Sequence, residues 1–195
     1  MMKILGKNPS GELKKKMEKS VNYKNGQFNN IAKTVMLAED TNFVKLLGEF
    51  MKRDDKREPS VKIPSIKTNL NQLNTDETSI IWFGHSSYYI FLKGKRILVD
   101  PVFSGYASPL PFMVKAFEGS NVYKSEDFEN IDVLILTHDH YDHLDYHTLL
   151  KLKPKVKAIY CSLGVASHLI YWGFHTYIIN EMDWWILNKL ITTYR

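Results

Sequence analysis

The run IDVLILTHDHYDH, residues 131–143, restricts this chain more than any other part of it. Its apolar first half suits a strand buried on both faces, because a one-sided strand would alternate with polar residues. Straight after it come His138, His140, Asp142 and His143. Successive side chains of an extended chain point to opposite sides, so His138 and His140, two apart, project together. Asp142 and His143 fall in the turn beyond, where backbone curvature can aim both back at the same point. Asp145 is placed to cap a short helix in LDYHTLLKLKP that Pro154 stops, and VKAIYCS reads as the next strand. Strand, helix and strand in this order form a βαβ unit, with four candidate ligands gathered at the carboxyl end of its first strand.

The only cysteine, Cys161, excludes both an intramolecular disulfide framework and a cysteine-built zinc site. A metal here must be held by nitrogen and oxygen, and imidazole with carboxylate is the non-sulfur set that zinc prefers. A metal in such a site can bring the pKa of its water down to about 7, which provides hydroxide at neutral pH and is a hydrolase's tool. The alternative is that the histidines merely decorate a polar loop. The ordered H-x-H-x-D-H spacing directly after a buried strand argues for ligation.

Around this unit the chain has the texture of a mixed α/β protein. SIIWFG, SYYIFL and RILVD are short β-branched and aromatic runs, with a hairpin turn expected at Gly94 between the last two. Apolar residues at three- and four-residue steps over residues 29–53, among them Phe43, Leu46, Leu47 and Phe50, predict one or two amphipathic helices. Pro59 and Pro64 then keep residues 57–78 irregular, as a strap. The division expected is a basic N-terminal arm and strap over 1–75, followed by the main domain over 76–195. With 44% hydrophobic residues the chain can bury a core. No stretch has the length of apolar sequence that a signal peptide or membrane span needs, so a cytoplasmic protein is the expectation.

The net charge of +5 comes from the arm. Its basic runs, Lys14–Lys16 and MKRDDKREP, could touch phosphate or an anionic membrane surface as a peripheral contact. Glu12, Glu18, Asp54, Asp55 and Glu58 are interleaved with them, which favours solvated helix faces. Nucleic-acid binding is not expected.

THDHYDHLD resembles the signature of the metallo-β-lactamase fold. Together with WFGHSSYYI, LVDPVFS, LGVASHLIYWGF and DWW, in that order, it is similar to the branch typified by N-acylphosphatidylethanolamine-hydrolysing phospholipase D, over about Phe28 to Trp185. The resemblance implies an αββα sandwich of the α/β (α+β) class, of which this chain holds the N-terminal half. It implies zinc, with manganese or iron as alternatives, in two adjacent sites: His138 and His140 in the first, Asp142 and His143 in the second. Asp142 would also orient the attacking hydroxide, and His85 and Asp100 would stand beside the metals in support. Phosphodiester bonds, including those of phospholipids, are the implied substrates. His168 and His175 match no ligand of that family, while Tyr141 is read as shaping the turn and His147 as a surface or structural residue on the helix.

The family's remaining ligands come from a second half, whereas after DWW this sequence reads ILNKLITTYR. The expectation is therefore a truncated chain, weakly active or inactive alone, with an exposed sheet that invites self-association. Two alternatives stand beside the hydrolase: a non-catalytic fragment or pseudoenzyme, and a binding module that completes its sheet with a partner.

Overall fold

The computed structural model describes residues 3–32, 42, 44–46, 48, 58–109 and 114–184. The amphipathic helices expected over 29–53 and the basic run at 51–59 lie mostly outside the described residues. What is described is a mixed α/β fold built on one six-stranded sheet. Its strands are β3 (Ser79–Gly84), β4 (Ser87–Leu92), β5 (Lys95–Val99), β6 (Val133–Leu136), β7 (Ile159–Ser162) and β8 (Ile179–Met182), lying side by side in chain order. A two-stranded ribbon, β1 (Tyr23–Lys24) with β2 (Gln27–Phe28), precedes them, and the helices are α1 (Gly11–Glu18), α2 (Tyr146–Leu152) and α3 (Ala166–Tyr171).

Turn chemistry sets the pairing. β4 and β5 are antiparallel and joined through Lys93 and Gly94, both with positive φ (49° and 71°), the pair of left-handed residues that a two-residue hairpin matching strand twist demands. β5, β6, β7 and β8 are parallel neighbours, which requires crossovers; α2 and α3 occupy the last two. Asp145 caps α2, accepting from the backbone N–H groups of His147 and Thr148. It also accepts from Ser104 N–H at 2.9 Å, which ties the loop after β5 to the start of the helix.

The two faces of the sheet differ. One carries Phe83, Tyr89, Phe91, Leu98, Leu134, Leu136, Ile159 and Cys161, all buried in a core shared with Leu149, Leu152, Leu169, Trp172 and Phe174 from the helical side. The other carries Ile97, Val99 and Val133 as a small buried patch, flanked by partly buried Tyr88, Ile90, Ile135 and Tyr160. At its β3 margin Ile80 and Trp82 are 69% and 70% exposed.

The N-terminal residues pack onto α3 and β8. Trp172 Nε1 donates to the Lys3 carbonyl (2.8 Å), Ser167 Oγ donates to the Lys7 carbonyl (2.6 Å), and Lys16 pairs with Glu181 (3.2 Å). Gly6 is obligatory in this seam: its φ is +68°, and a Cβ there would lie 1.9 Å from His168 Nδ1. The strap is pinned by Ile63 N–H to the Glu118 carbonyl (2.9 Å) and Thr68 N–H to Tyr123 Oη (2.8 Å).

Candidate metal centre

β3 runs antiparallel to β4, which runs antiparallel to β5, and β6 is parallel to β5. The carboxyl ends of β3, β5 and β6 therefore share one edge of the sheet. Each delivers a polar residue there: His85 one position beyond β3, Asp100 one beyond β5, and Thr137 to His143 beyond β6. Clefts outside the carboxyl ends of strands are where open α/β sheets place ligands.

Asp100 is the buried base of the site, 1% exposed. One carboxylate oxygen accepts from Thr137 N–H (2.8 Å); the other accepts from Thr137 Oγ1 (2.6 Å) and His143 Nδ1 (2.8 Å). With the Nδ1 proton of His143 committed to Asp100, its Nε2 is left as a lone pair facing outward. The same logic reaches His138. Thr137 gives its only hydroxyl proton to Asp100, so it accepts from His138 Nδ1 (3.0 Å) and leaves the His138 Nε2 unprotonated.

The outward Nε2 of His143 lies 3.3 Å from His85 Nε2 and 3.7 Å from Asp142 Oδ2, and the latter two are 3.0 Å apart. His85, Asp142 and His143 thus present three donor atoms mutually within 4.8 Å. A four-coordinate zinc with bonds of about 2.0–2.1 Å sets its ligand atoms roughly 3.3 Å apart. The three observed separations bracket that value, and two imidazoles with a carboxylate form a donor set that suits zinc, so the residues present fit such an ion.

His138 and His140 stand outside this trio. The strand ends at Leu136, two residues before His138, yet both rings still come together, with centroids 4.7 Å apart. His138 packs 3.8 Å from the His143 ring, so His140, His138, His143 and His85 form a continuous row of imidazoles. Burial, then the neighbouring His143 and His140, hold His138 below the ordinary imidazole pKa, which favours the neutral form a metal requires. His85, expected beside the metals as support, lies with its donor atom in the trio, while Asp100 stands behind His143.

Two contacts had no signal in the sequence. His168 Nδ1 accepts from Lys7 N–H (3.1 Å), which puts the ring's proton on Nε2, 3.7 Å from Asp139. His168 is the main cause of the Asp139 carboxyl lying below its usual range. The H-x-H loop is thereby tied to α3 and to the N-terminal seam. Ser87, two residues past His85, is likewise unforeseen and lines a cavity that His85 and Asp142 also border. Tyr141 is held above its ordinary pKa by burial, with the Asp145 charge adding to it, so its phenol stays protonated. His147 is exposed on α2, and exposed His175 stacks on Tyr177.

Residues 95–189 match the beta-lactamase superfamily domain. The mixed sheet and the site at its carboxyl edge are consistent with the metallo-β-lactamase fold. An uncharacterised protein of Mycobacterium tuberculosis is 31% identical over 169 residues, 86% of this chain and 45% of that protein. A metal-dependent hydrolase of Saccharolobus solfataricus is 32% identical over 102 residues, 51% of this chain and 37% of its own length. The N-acyl-phosphatidylethanolamine-hydrolyzing phospholipase D 1 of Caenorhabditis elegans is 33% identical over 84 residues, 39% of this chain and 22% of that enzyme. Among solved structures, the diiron β-hydroxylase CmlA of Streptomyces venezuelae aligns with 29% identity and a TM-score of 0.38, over 55% of this chain and 21% of that one. The chain spans less than half the length of the curated relatives it matches. No helix among the described residues is long and apolar enough to cross a membrane.

Proposed function

We propose that this chain carries the catalytic metal centre of a hydrolase that cleaves phosphodiester bonds, with phospholipids of the N-acylphosphatidylethanolamine type as its model substrates. The observation that carries the reading is the convergence of His85, Asp142 and His143, with His143 locked by a buried carboxylate. A zinc-type ion bound there, with manganese or iron as substitutes, would supply a Lewis acid and an acidified water. His143 and His85 would hold it through Nε2, with Asp100 fixing the tautomer and direction of His143. His138 and His140, which continue the row of imidazoles, would serve a second ion. Asp142 would complete the ligand set through Oδ2 and borders an adjoining cavity, which leaves its second carboxylate oxygen to orient an entering water. The similarity to a phospholipase D supports the diester assignment, and that to a metal-dependent hydrolase supports metal-assisted hydrolysis. The lone, buried Cys161 supports a cytoplasmic setting.

The test joins metal analysis to turnover. The protein is reconstituted with zinc, manganese or iron, its metal content measured, and hydrolysis of bis-p-nitrophenyl phosphate followed beside the monoester. The expected result is metal uptake that Asp142→Asn weakens, with weak metal-stimulated release from the diester in preference to the monoester. No uptake from excess metal, or uptake with monoester cleavage alone, overturns the proposal.

A further inference from the structure

Ser87 opens β4, two residues beyond His85, and is 3% exposed. Its hydroxyl has no hydrogen-bond partner among the described residues. A buried hydroxyl left unpaired costs free energy, and such groups in folded proteins ask for an explanation. Ser87 lines a cavity of about 360 Å³ that His85 and Asp142 also border. The volume is in the range of small-molecule sites.

The wall opposite is built from the loop after β5. Ala107 N–H donates to the Val114 carbonyl (2.9 Å) and Ala116 N–H to the Gly105 carbonyl (2.9 Å), a small hairpin that presents apolar surface to the space. Phe83, Val102 and Phe117 complete an apolar lining. Gly84 brings the floor close, since a Cβ at this position, with φ +100°, would lie 3.2 Å from the Ser120 carbonyl oxygen. Among the other polar side chains of the lining, Asn121 Oδ1 accepts from Tyr123 N–H (2.9 Å) and Ser120 Oγ donates to the Phe117 carbonyl (2.8 Å), while Tyr106 brings a phenol to the rim. Lys115, the only lysine or arginine among the described lining residues, is exposed. The inner cavity therefore suits an uncharged guest, because a buried charge without a partner is far more costly than a neutral polar atom.

We propose that this cavity binds an uncharged, largely apolar arm of the substrate, and that the Ser87 hydroxyl donates to one carbonyl oxygen of that arm, an amide or an ester. The proposal rests on the hydrolase reading for where the reacting bond lies, beside Asp142 and His85. It makes Ser87 a specificity-determining residue, one that selects among substrates without touching the bond that breaks.

The test is binding by metal-free protein in chelator, so that it is independent of catalysis. N-butylacetamide, a neutral amide with a short apolar tail, is titrated while the backbone amide resonances of Ala107 and Ala116 are followed. Dimethyl phosphate serves as the charged comparison. The expected result is saturable shifts with the amide only, about fivefold weaker binding in Ser87→Ala, as for loss of one hydrogen bond, and no binding in Ala107→Phe, which fills the space. Ser87→Ala should keep or raise the melting temperature, since it deletes an unpaired polar group. Equal affinity in wild type and Ser87→Ala, or saturation by dimethyl phosphate in place of the amide, overturns the proposal. Either outcome leaves metal uptake and diester cleavage untouched, and failure of those leaves this binding result standing.

Discussion

The candidate centre has a buried half and an open half. His143 is clamped from behind by Asp100, its side chain 11% exposed, while His85 sits on a hairpin turn with its side chain 62% exposed. The buried half fixes proton positions and direction before any ligand arrives, in the way outer carboxylates orient metal-binding imidazoles. The open half can adjust, and it borders the cavity from which a substrate would come. Both halves hold a non-glycine residue in left-handed backbone, His85 at φ 46° and Asp100 at φ 41°. Such conformations cost roughly 1–3 kcal/mol each and persist where the surroundings impose them. At Asp100 the imposing contacts are visible as three accepted hydrogen bonds; at His85 the Trp82 indole donates to its carbonyl at 2.9 Å.

The strongest challenge to this contrast is to remove the clamp. Asp100→Ala leaves the buried His143 Nδ1–H and the partly buried Thr137 N–H without their partner, and should lower the unfolding free energy by about 3 kcal/mol. Urea denaturation measures it; a loss under about 1 kcal/mol would mean that the buried half is not what holds the site. Next come the two imidazoles themselves. His143→Ala should weaken zinc binding by about 100-fold and His85→Ala by about tenfold, with His85→Ala changing stability by no more than about 0.5 kcal/mol. Competition with a chromophoric chelator reads both affinities, and equal losses would erase the distinction between the halves.

The smallest effect is one of pH. His138, packed on His143, is held below the ordinary imidazole value chiefly by burial. Between that lowered value and about 6.5 the folded form binds fewer protons than the unfolded chain, so stability rises with pH across this window. The contribution is complete above about pH 6.5 and lost as pH falls through the folded value. His138→Gln should flatten the fall in urea midpoint between about pH 7 and about pH 5, and an unchanged slope would assign that fall to other groups.

Much of this arrangement can be read from local pattern. Ser79–Gly84, Ser87–Leu92 and Lys95–Val99 declare themselves by β-branched and aromatic runs, and Gly94 marks the turn between the last two. Asp145 announces the start of α2 because capping needs only residues next to it in sequence. What local pattern hides is the sheet order. His85 meets His143 across 58 positions of sequence, a meeting that depends on β3, β5 and β6 ending at one edge. The histidine pair two apart suggests a site of its own, and nothing local ranks His85 above it as a neighbour of Asp142. His168 is similar: a histidine in a predicted helix carries no sign that it will join Lys7 to Asp139. Ser87 gives no sign either, since a hydroxyl without a partner among the described residues shows only once those residues are packed around it.

The exposed indole at the end of β3 has a practical corollary. Trp82 is 70% exposed and hydrogen-bonded to the backbone of the very turn that carries His85. Its emission wavelength and quenching should therefore register any rearrangement of that turn, giving the protein an intrinsic optical probe at the mouth of its own centre.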